Sequence, residues 1–399
     1  MQHRKDIEGL RAVAVVAVLL FHFGVPGFGG GFVGVDVFFV ISGYLITSLL
    51  IHERESTGKV SIRDFYARRA RRLLPISATV LAATALGSAI WLEPTRLSSL
   101  ANDILAAAAF SVNFVFANRG TDYLQAAMQP SALQHYWSLA VEEQFYMVWP
   151  ALIALVTLGT SRIRHRVAVA MGAIVAVSFL LSATLTQKQP SWSYFGLHTR
   201  AWELGLGALL AALATSTALI PAQTRSLIGW AGLAGIVVSV LTYGDVINFP
   251  GTVAALPVVA TGAALLAGDQ LLRGPVMVLG NPVLQWIGAR SYSLYLWHWP
   301  VLIIAESQLG DLSAKARIAV LLIVIGLAEI GFRLIENPVR RSRKFVARPA
   351  MSLGLGFALI VAGLISGVAL HFHEPDISTG VTAIAPSLST STTTGIGST

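Results

Sequence analysis

Residues 11–23 read RAVAVVAVLLFHF: an arginine, ten residues without a polar side chain, then a histidine and a phenylalanine. A helix through this stretch has no wet face, so it must be surrounded by other helices or by lipid. Read outward, the apolar window covers residues 8–25, close to the roughly 20 residues needed to cross a bilayer core. Comparable windows recur near 33–51, 75–93, 136–158, 167–186, 201–217, 227–243, 252–267, 292–308, 316–335 and 351–371. The eighth is short and contains Pro257. Leu100–Val115 is apolar too, but lies between two windows and reads as re-entrant or interfacial. The predicted fold is an all-α polytopic transmembrane bundle, ten core helices plus an eleventh. Its divisions are a transmembrane domain over 1–345, an additional helix over 346–373 and a flexible extracytoplasmic linker over 374–399. That last stretch is rich in Ser, Thr, Gly and Pro and has no apolar periodicity.

Composition agrees with this reading. Of 399 residues, 55% are hydrophobic and 12% charged, and the mean hydropathy is +0.68. A water-soluble domain of this size carries about a quarter charged residues. The absence of cysteine excludes disulfides, a thiol nucleophile and Cys-ligated metals. The net charge of +8 does not point to nucleic acid, because the basic residues sit between apolar windows. With the N-terminus in the cytoplasm, Arg4, Lys5, Arg11, the Arg54–Arg72 loop, Arg162, Arg164, Arg166, Arg225, Arg273, Arg290, Arg333 and the Arg340–Arg348 run fall inside. They make 22 of the 28 Lys and Arg, leaving six outside: Arg96, Arg119, Lys188, Arg200, Lys315 and Arg317. The positive-inside rule therefore predicts a cytoplasmic N-terminus, and eleven spans put the C-terminus outside.

Several polar residues interrupt the apolar windows. Arg11 and His22 are eleven positions apart, which returns them to nearly one helix face about 16 Å apart along the axis. With Arg11 at the cytoplasmic boundary, His22 falls near the middle of the bilayer, where an ionisable group marks a candidate functional site. Asp36 follows a glycine-rich turn, and Ser42 and Gly43 in the same span are read as small residues for helix contact. Arg68, Arg69, Arg71 and Arg72 lead up to Pro75. They act as a topogenic cluster or as a clamp for phosphates, which guanidinium forks bind bidentately. Glu142 and Glu143 are adjacent acids in an apolar window with Tyr146; they point about 100° apart, so one faces the bundle centre. A glutamate beside His22 would orient it as a base. Arg200 and Glu203 are spaced to pair at i,i+3. His298 lies among Trp297 and Trp299, which fit an interfacial belt, and is a second-tier site residue.

Together these segments resemble the membrane acyltransferase-3 family, which includes bacterial O-acetyltransferases of lipopolysaccharide and peptidoglycan. The resemblance rests on DIEGLRAVAVVAVLLFH (6–22), GGGFVGVDVFFVISGYLIT (29–47), FYARRARRLLP (65–75), HYWSLAVEEQFYMVWP (135–150), SYSLYLWHWP (291–300) and RLIENPVRR (333–341), all in family order. It implies transfer of an acyl group, acetyl in the usual case, from cytoplasmic acyl-CoA to a hydroxyl of an extracytoplasmic glycan or glycolipid, in the bacterial cytoplasmic (inner) membrane and without a metal. The family's Arg-x10-His motif falls on Arg11 and His22, its arginine motif on Arg69 and Arg72, and its acidic motif on Glu142 and Glu143. Many members carry an extra span, a linker and a C-terminal SGNH-type domain. No Gly-Asp-Ser block follows the linker-like stretch here, so such a domain would be supplied by a partner protein or lie outside this sequence. A proton-coupled exporter is the alternative class for a chain with intramembrane His and Glu; a scaffold for envelope enzymes would have no need of His22.

Overall fold

The structure, a computed structural model, describes residues 4–121, 129–244, 248–268 and 273–373. The predicted linker over 374–399 lies outside the described residues. Among the described residues there is no strand, and thirteen helices have ten residues or more: α1 (Lys5–His22), α2 (Gly34–Thr57), α3 (Ile62–Trp91), α4 (Pro94–Ala108), α5 (Val112–Thr121), α6 (Tyr136–Val156), α7 (Ile163–Leu185), α8 (Leu197–Ala212), α9 (Ala222–Thr242), α10 (Ala255–Ala267), α11 (Pro282–Leu309), α12 (Ala314–Gly331) and α13 (Pro349–His371). Each of the eleven apolar windows falls on one of them. The chain is an all-α polytopic membrane bundle.

Seven helical stretches are long and apolar enough by themselves to cross a membrane: Gly31–Thr57, Ile62–Trp91, Tyr136–Val156, Ile163–Leu185, Ala222–Thr242, Ala314–Ala347 and Pro349–His371. The remaining four windows are those with polar or short sequences. α1 carries Lys5, Asp6, Glu8 and Arg11, and α10 has only 13 residues. α8 has 16 residues, and α11 is interrupted by Arg290, Tyr292, Tyr295 and His298. These helices can be polar because other helices surround them.

Close approach of α1 and α2 to their neighbours depends on glycine. A Cβ on Gly34 would lie 2.3 Å from the Ala14 carbonyl oxygen, and one on Gly288 of α11 would lie 2.0 Å from that of Glu8. α2 and α8 meet through a reciprocal pair. A Cβ on Gly43 would lie 1.8 Å from Leu204 O, and one on Gly207 would lie 2.0 Å from Val40 O. Gly43 is thus a packing residue, as its size predicts.

One segment differs from the expectation. The arginine stretch before Pro75 is not a loop. α3 begins at Ile62, with the Ser61 side chain accepting from Asp64 N–H, and continues through Pro75 to Trp91. Arginine is a good helix former, so the cluster propagates the helix instead of ending it. Leu100–Val115 forms parts of α4 and α5, joined at Phe110 with φ 55°. Leu97, Leu100, Ala101, Ile104, Ala107 and Ala108 recur at helical spacing and are buried. That face packs on α13, where Gly363 and Gly367 come up to Ala108 and Leu105.

Candidate active site

Because Arg68–Arg72 are helical, their side chains divide by face. Arg69 and Arg72, one turn apart, turn inward. Arg68 instead pairs with Glu53 at 2.9 Å, and Arg71 donates to Phe345 O at 3.1 Å and Ser352 Oγ at 2.8 Å. The expected donor role for Arg68 and Arg71 is not supported by this arrangement: one guanidinium closes the α2–α3 corner, the other holds α13.

The inward face opens on two cavities. The outer one, about 660 Å³, is lined by Arg4, Glu8, Arg11, Tyr44, Arg72, Arg340 and Arg341 among others. The inner one is a narrow chamber of about 70 Å³, bounded by Arg69, Ser42, Glu142, Tyr146, Tyr292 and Tyr295; Arg11, Leu45 and Arg72 line both cavities. Arg4 is held by Asp6 at 2.7 Å and Tyr44 at 3.0 Å. Arg11 lies 3.7 Å from Glu8. Arg72 sits in the field of Arg11, Arg69 and Arg340, and among the described residues its guanidinium has no hydrogen-bond partner, nor have those of Arg340 and Arg341. Glu336, on a π-helical turn over Phe332–Glu336, accepts from Ser293 Oγ at 3.1 Å and lies in the field of Arg11, Arg72 and Arg340. Positive charge exceeds negative charge here, which suits an anion of several charges.

Glu142 is the acid that faces the chamber. It accepts from the hydroxyls of Ser42 and Tyr146, and Arg69 Nη2 stands 3.8 Å away, its guanidinium 3.6 Å above the Tyr146 ring centre. Glu143 does not line the chamber. Ser42 therefore does more than pack, since its hydroxyl fixes the carboxylate across the α2–α6 contact. The expected glutamate partner for His22 is replaced by a histidine: His22 Nδ1 lies 3.0 Å from His298 Nε2. Glu142 is on the face of α6 turned toward α2 and α3, whereas the C-terminal end of α1 meets α11.

The position of His135 beside His298 follows from Pro300. A proline inside a helix has no N–H for the carbonyl four residues back, so Leu296 O is left over, and His135 Nε2 comes to it at 3.1 Å. The His135 and His298 ring centres are 5.3 Å apart, those of His22 and His298 5.1 Å, and Trp299 lies 4.5 Å from His22. His298 is fully buried in the middle of α11, and His22 is level with it. Tyr295 separates this cluster from the chamber: its hydroxyl meets Ser138 Oγ at 2.7 Å and donates to His135 O at 3.0 Å, with its ring 5.3 Å from His298.

The family model described as Acyltransferase domain matches residues 4–332. This chain belongs to the acyltransferase-3 family. Among related acyltransferase-3 proteins, it is 31% identical over 357 residues to the peptidoglycan O-acetyltransferase OatA of Listeria monocytogenes, covering 84% of this chain and 56% of that protein. It is 30% identical over 411 residues to the putative peptidoglycan O-acetyltransferase YrhL of Bacillus subtilis, covering 94% and 64%. With the O-acetyltransferase OatA of Staphylococcus aureus the identity is 32% over 362 residues, covering 84% and 57%. The chain thus spans little more than half to under two thirds of the length of these relatives. No solved structure matches it.

Asp36, Arg200 and Glu203 lie apart from both cavities of this acyltransferase-3 chain. Arg200 Nη1 is 3.2 Å from Asp36 and 2.9 Å from Glu203, and all three are fully buried. The guanidinium is ringed by Phe39, Trp137, Tyr194 and Phe249 at 5.3 to 5.8 Å. The i,i+3 pairing of Arg200 with Glu203 is present, and the cluster ties α2 to α8.

Four residues escaped the sequence reading: His135, Tyr295 as the partition, and Arg340 with Arg341. His135 opens one of the quoted segments, and the two arginines end another. Only the turn of α6 against α11, and of the short helix Asn337–Arg341 against α3, brings them to the site.

Proposed function

We propose that this chain moves an acyl group, acetyl in the first instance, from acyl-CoA to a hydroxyl of a cell-envelope glycan. The observation that carries this reading is the arginine-lined cavity that narrows toward a chamber closed by Tyr295, with His22 and His298 behind it. Coenzyme A brings several phosphates on a long thin arm. The cavity of about 660 Å³ with Arg11, Arg72, Arg340 and Arg341 receives the phosphates, and the chamber of about 70 Å³ admits only the arm. Glu142, held by Ser42, Tyr146 and Arg69, lines the arm's path. His22 takes the proton of the acceptor hydroxyl as its oxygen attacks the thioester carbonyl; the C–O bond forms, the C–S bond breaks and the proton leaves with the thiolate. The names of the relatives, one a peptidoglycan O-acetyltransferase and one a putative one, favour peptidoglycan as that glycan.

The charge count supports a placement with the arginine cavity on the cytoplasmic side, donor and acceptor then meeting the bundle from opposite faces. Thermal unfolding of the detergent-solubilised protein tests donor recognition. Coenzyme A and acetyl-CoA at 100 times their Kd should stabilise it by about 2.7 kcal/mol, and acetyl-pantetheine at the same concentration, lacking the nucleotide phosphates, by much less. Equal shifts with coenzyme A and the phosphate-free arm would rule out the phosphate site.

A further inference from the structure

We propose that His298 is a positioning residue that holds His22 as its Nδ1–H tautomer, which makes Nε2 of His22 the nitrogen that receives the acceptor's proton. The inference rests on the transferase reading above and names the reacting atom within it.

It follows from three contacts. His298 Nδ1 lies 2.5 Å from Tyr295 O, one turn back in α11. A carbonyl oxygen only accepts, so Nδ1 of His298 carries a hydrogen. His298 is fully buried, and its polar contacts are that carbonyl, the Leu294 backbone and His22, with no carboxylate among the described residues. An unpaired imidazolium there would be a buried charge without a counter-ion, so the ring is neutral and its Nε2 holds a lone pair. That lone pair faces His22 Nδ1 at 3.0 Å. Two lone pairs at this distance repel; the contact is a hydrogen bond only if His22 Nδ1–H donates. A neutral imidazole has one N–H, which leaves Nε2 of His22 bare. Nε2 has no partner, and His22 is only partly buried, so the base is open toward the reactants.

The second ring nitrogen of a histidine is commonly what sets the state of the first. Here the setting begins at the backbone. Pro300 leaves Leu296 O for His135 Nε2–H, and His135 rests edge-on against His298. The His135 ring limits the rotation of His298, and the Tyr295 carbonyl sets its tautomer. On proton transfer the bond O–H breaks, Nε2–H forms, and His22 becomes an imidazolium whose Nδ1–H still donates to His298. The ring that orients the base also accepts from its charged form.

The test is nitrogen NMR of the full chain with 15N-labelled histidine, the His22 signals being those missing from His22→Gln. The wild type should show a protonated Nδ1 and a bare Nε2 at His22. His298→Leu removes the acceptor; the His22 signals should shift to Nε2–H or to a mixture, and kcat should fall about 100-fold or more. His298→Gln places an amide oxygen near the former Nε2, so it should keep the Nδ1–H signal and recover most of the loss. A wild-type spectrum with Nε2–H at His22 overturns the proposal without any variant. So does a His298→Leu protein with unchanged kcat while His22→Ala is inactive, and in that case the transferase reading stands. A His22→Ala protein that keeps full acyl transfer overturns the role of His22 as base, and a wild type that transfers no acyl group overturns the transferase reading itself.

Discussion

His22→Ala is expected to lower acyl transfer in membranes by a factor on the order of 10³, within the 10²- to 10⁴-fold that a positioned base contributes. The effect should fall on kcat, with the KM for acyl-CoA little changed, because His22 lines neither arginine cavity. Folding should survive. The imidazole is only partly buried, and its removal leaves His298 Nε2 as a lone acceptor beside Trp299. An unmade neutral hydrogen bond of that kind costs about 1–3 kcal/mol, less than the stability of a typical domain. Thermal unfolding of the purified variant separates loss of fold from loss of chemistry.

The second large effect is at Arg72. Its guanidinium has no acid partner, stands among Arg11, Arg69 and Arg340, and lines both cavities. If it meets a donor phosphate, Arg72→Ala removes a charge-assisted hydrogen bond worth about 1.5–3 kcal/mol, so the KM for acyl-CoA should rise roughly 10- to 150-fold. Arg72→Lys should recover only part, since an ammonium keeps the charge but not the fork. Arg71→Ala is the control within the same helix. Its side chain holds Phe345 O and Ser352 Oγ, so its loss should loosen α13 and leave donor KM nearly unchanged. Equal KM increases for the two variants would mean that the cluster acts through bulk charge, not through the cavity.

Much of this architecture is legible from residue order alone, because each apolar window implies one helix. The boundaries were less legible where charge enters a helix. The run to Arg72 resembles a loop by composition and is a helix by propensity, and Ser61 decides between them by capping α3. The same correction sorts the four arginines, since only a helix sends Arg69 and Arg72 one way and Arg68 and Arg71 another. Of the acidic pair, spacing predicts that one faces the centre, and Glu142 is the one. Its partner was not readable. Whether a glutamate or a histidine meets His22 depends on the contact of α1 with α11, 276 positions apart in the chain. His298 resembled belt packing because it is flanked by tryptophans. Its role emerges from its contacts with Tyr295 O and His22 Nδ1, and the second of these exists only once α1 packs on α11.

The proposed reaction requires the acyl-CoA arm to pass from the arginine-lined cavity through the chamber and beyond the Tyr295 partition to His22. Sealed vesicles holding the purified protein in one orientation test it most directly, with labelled acetyl-CoA confined to the arginine side and a soluble peptidoglycan fragment to the other. The account predicts acetylated fragment on the side opposite the donor, with none formed when Arg72→Ala and His22→Ala are combined. Product that forms only when donor and acceptor share a side would contradict it.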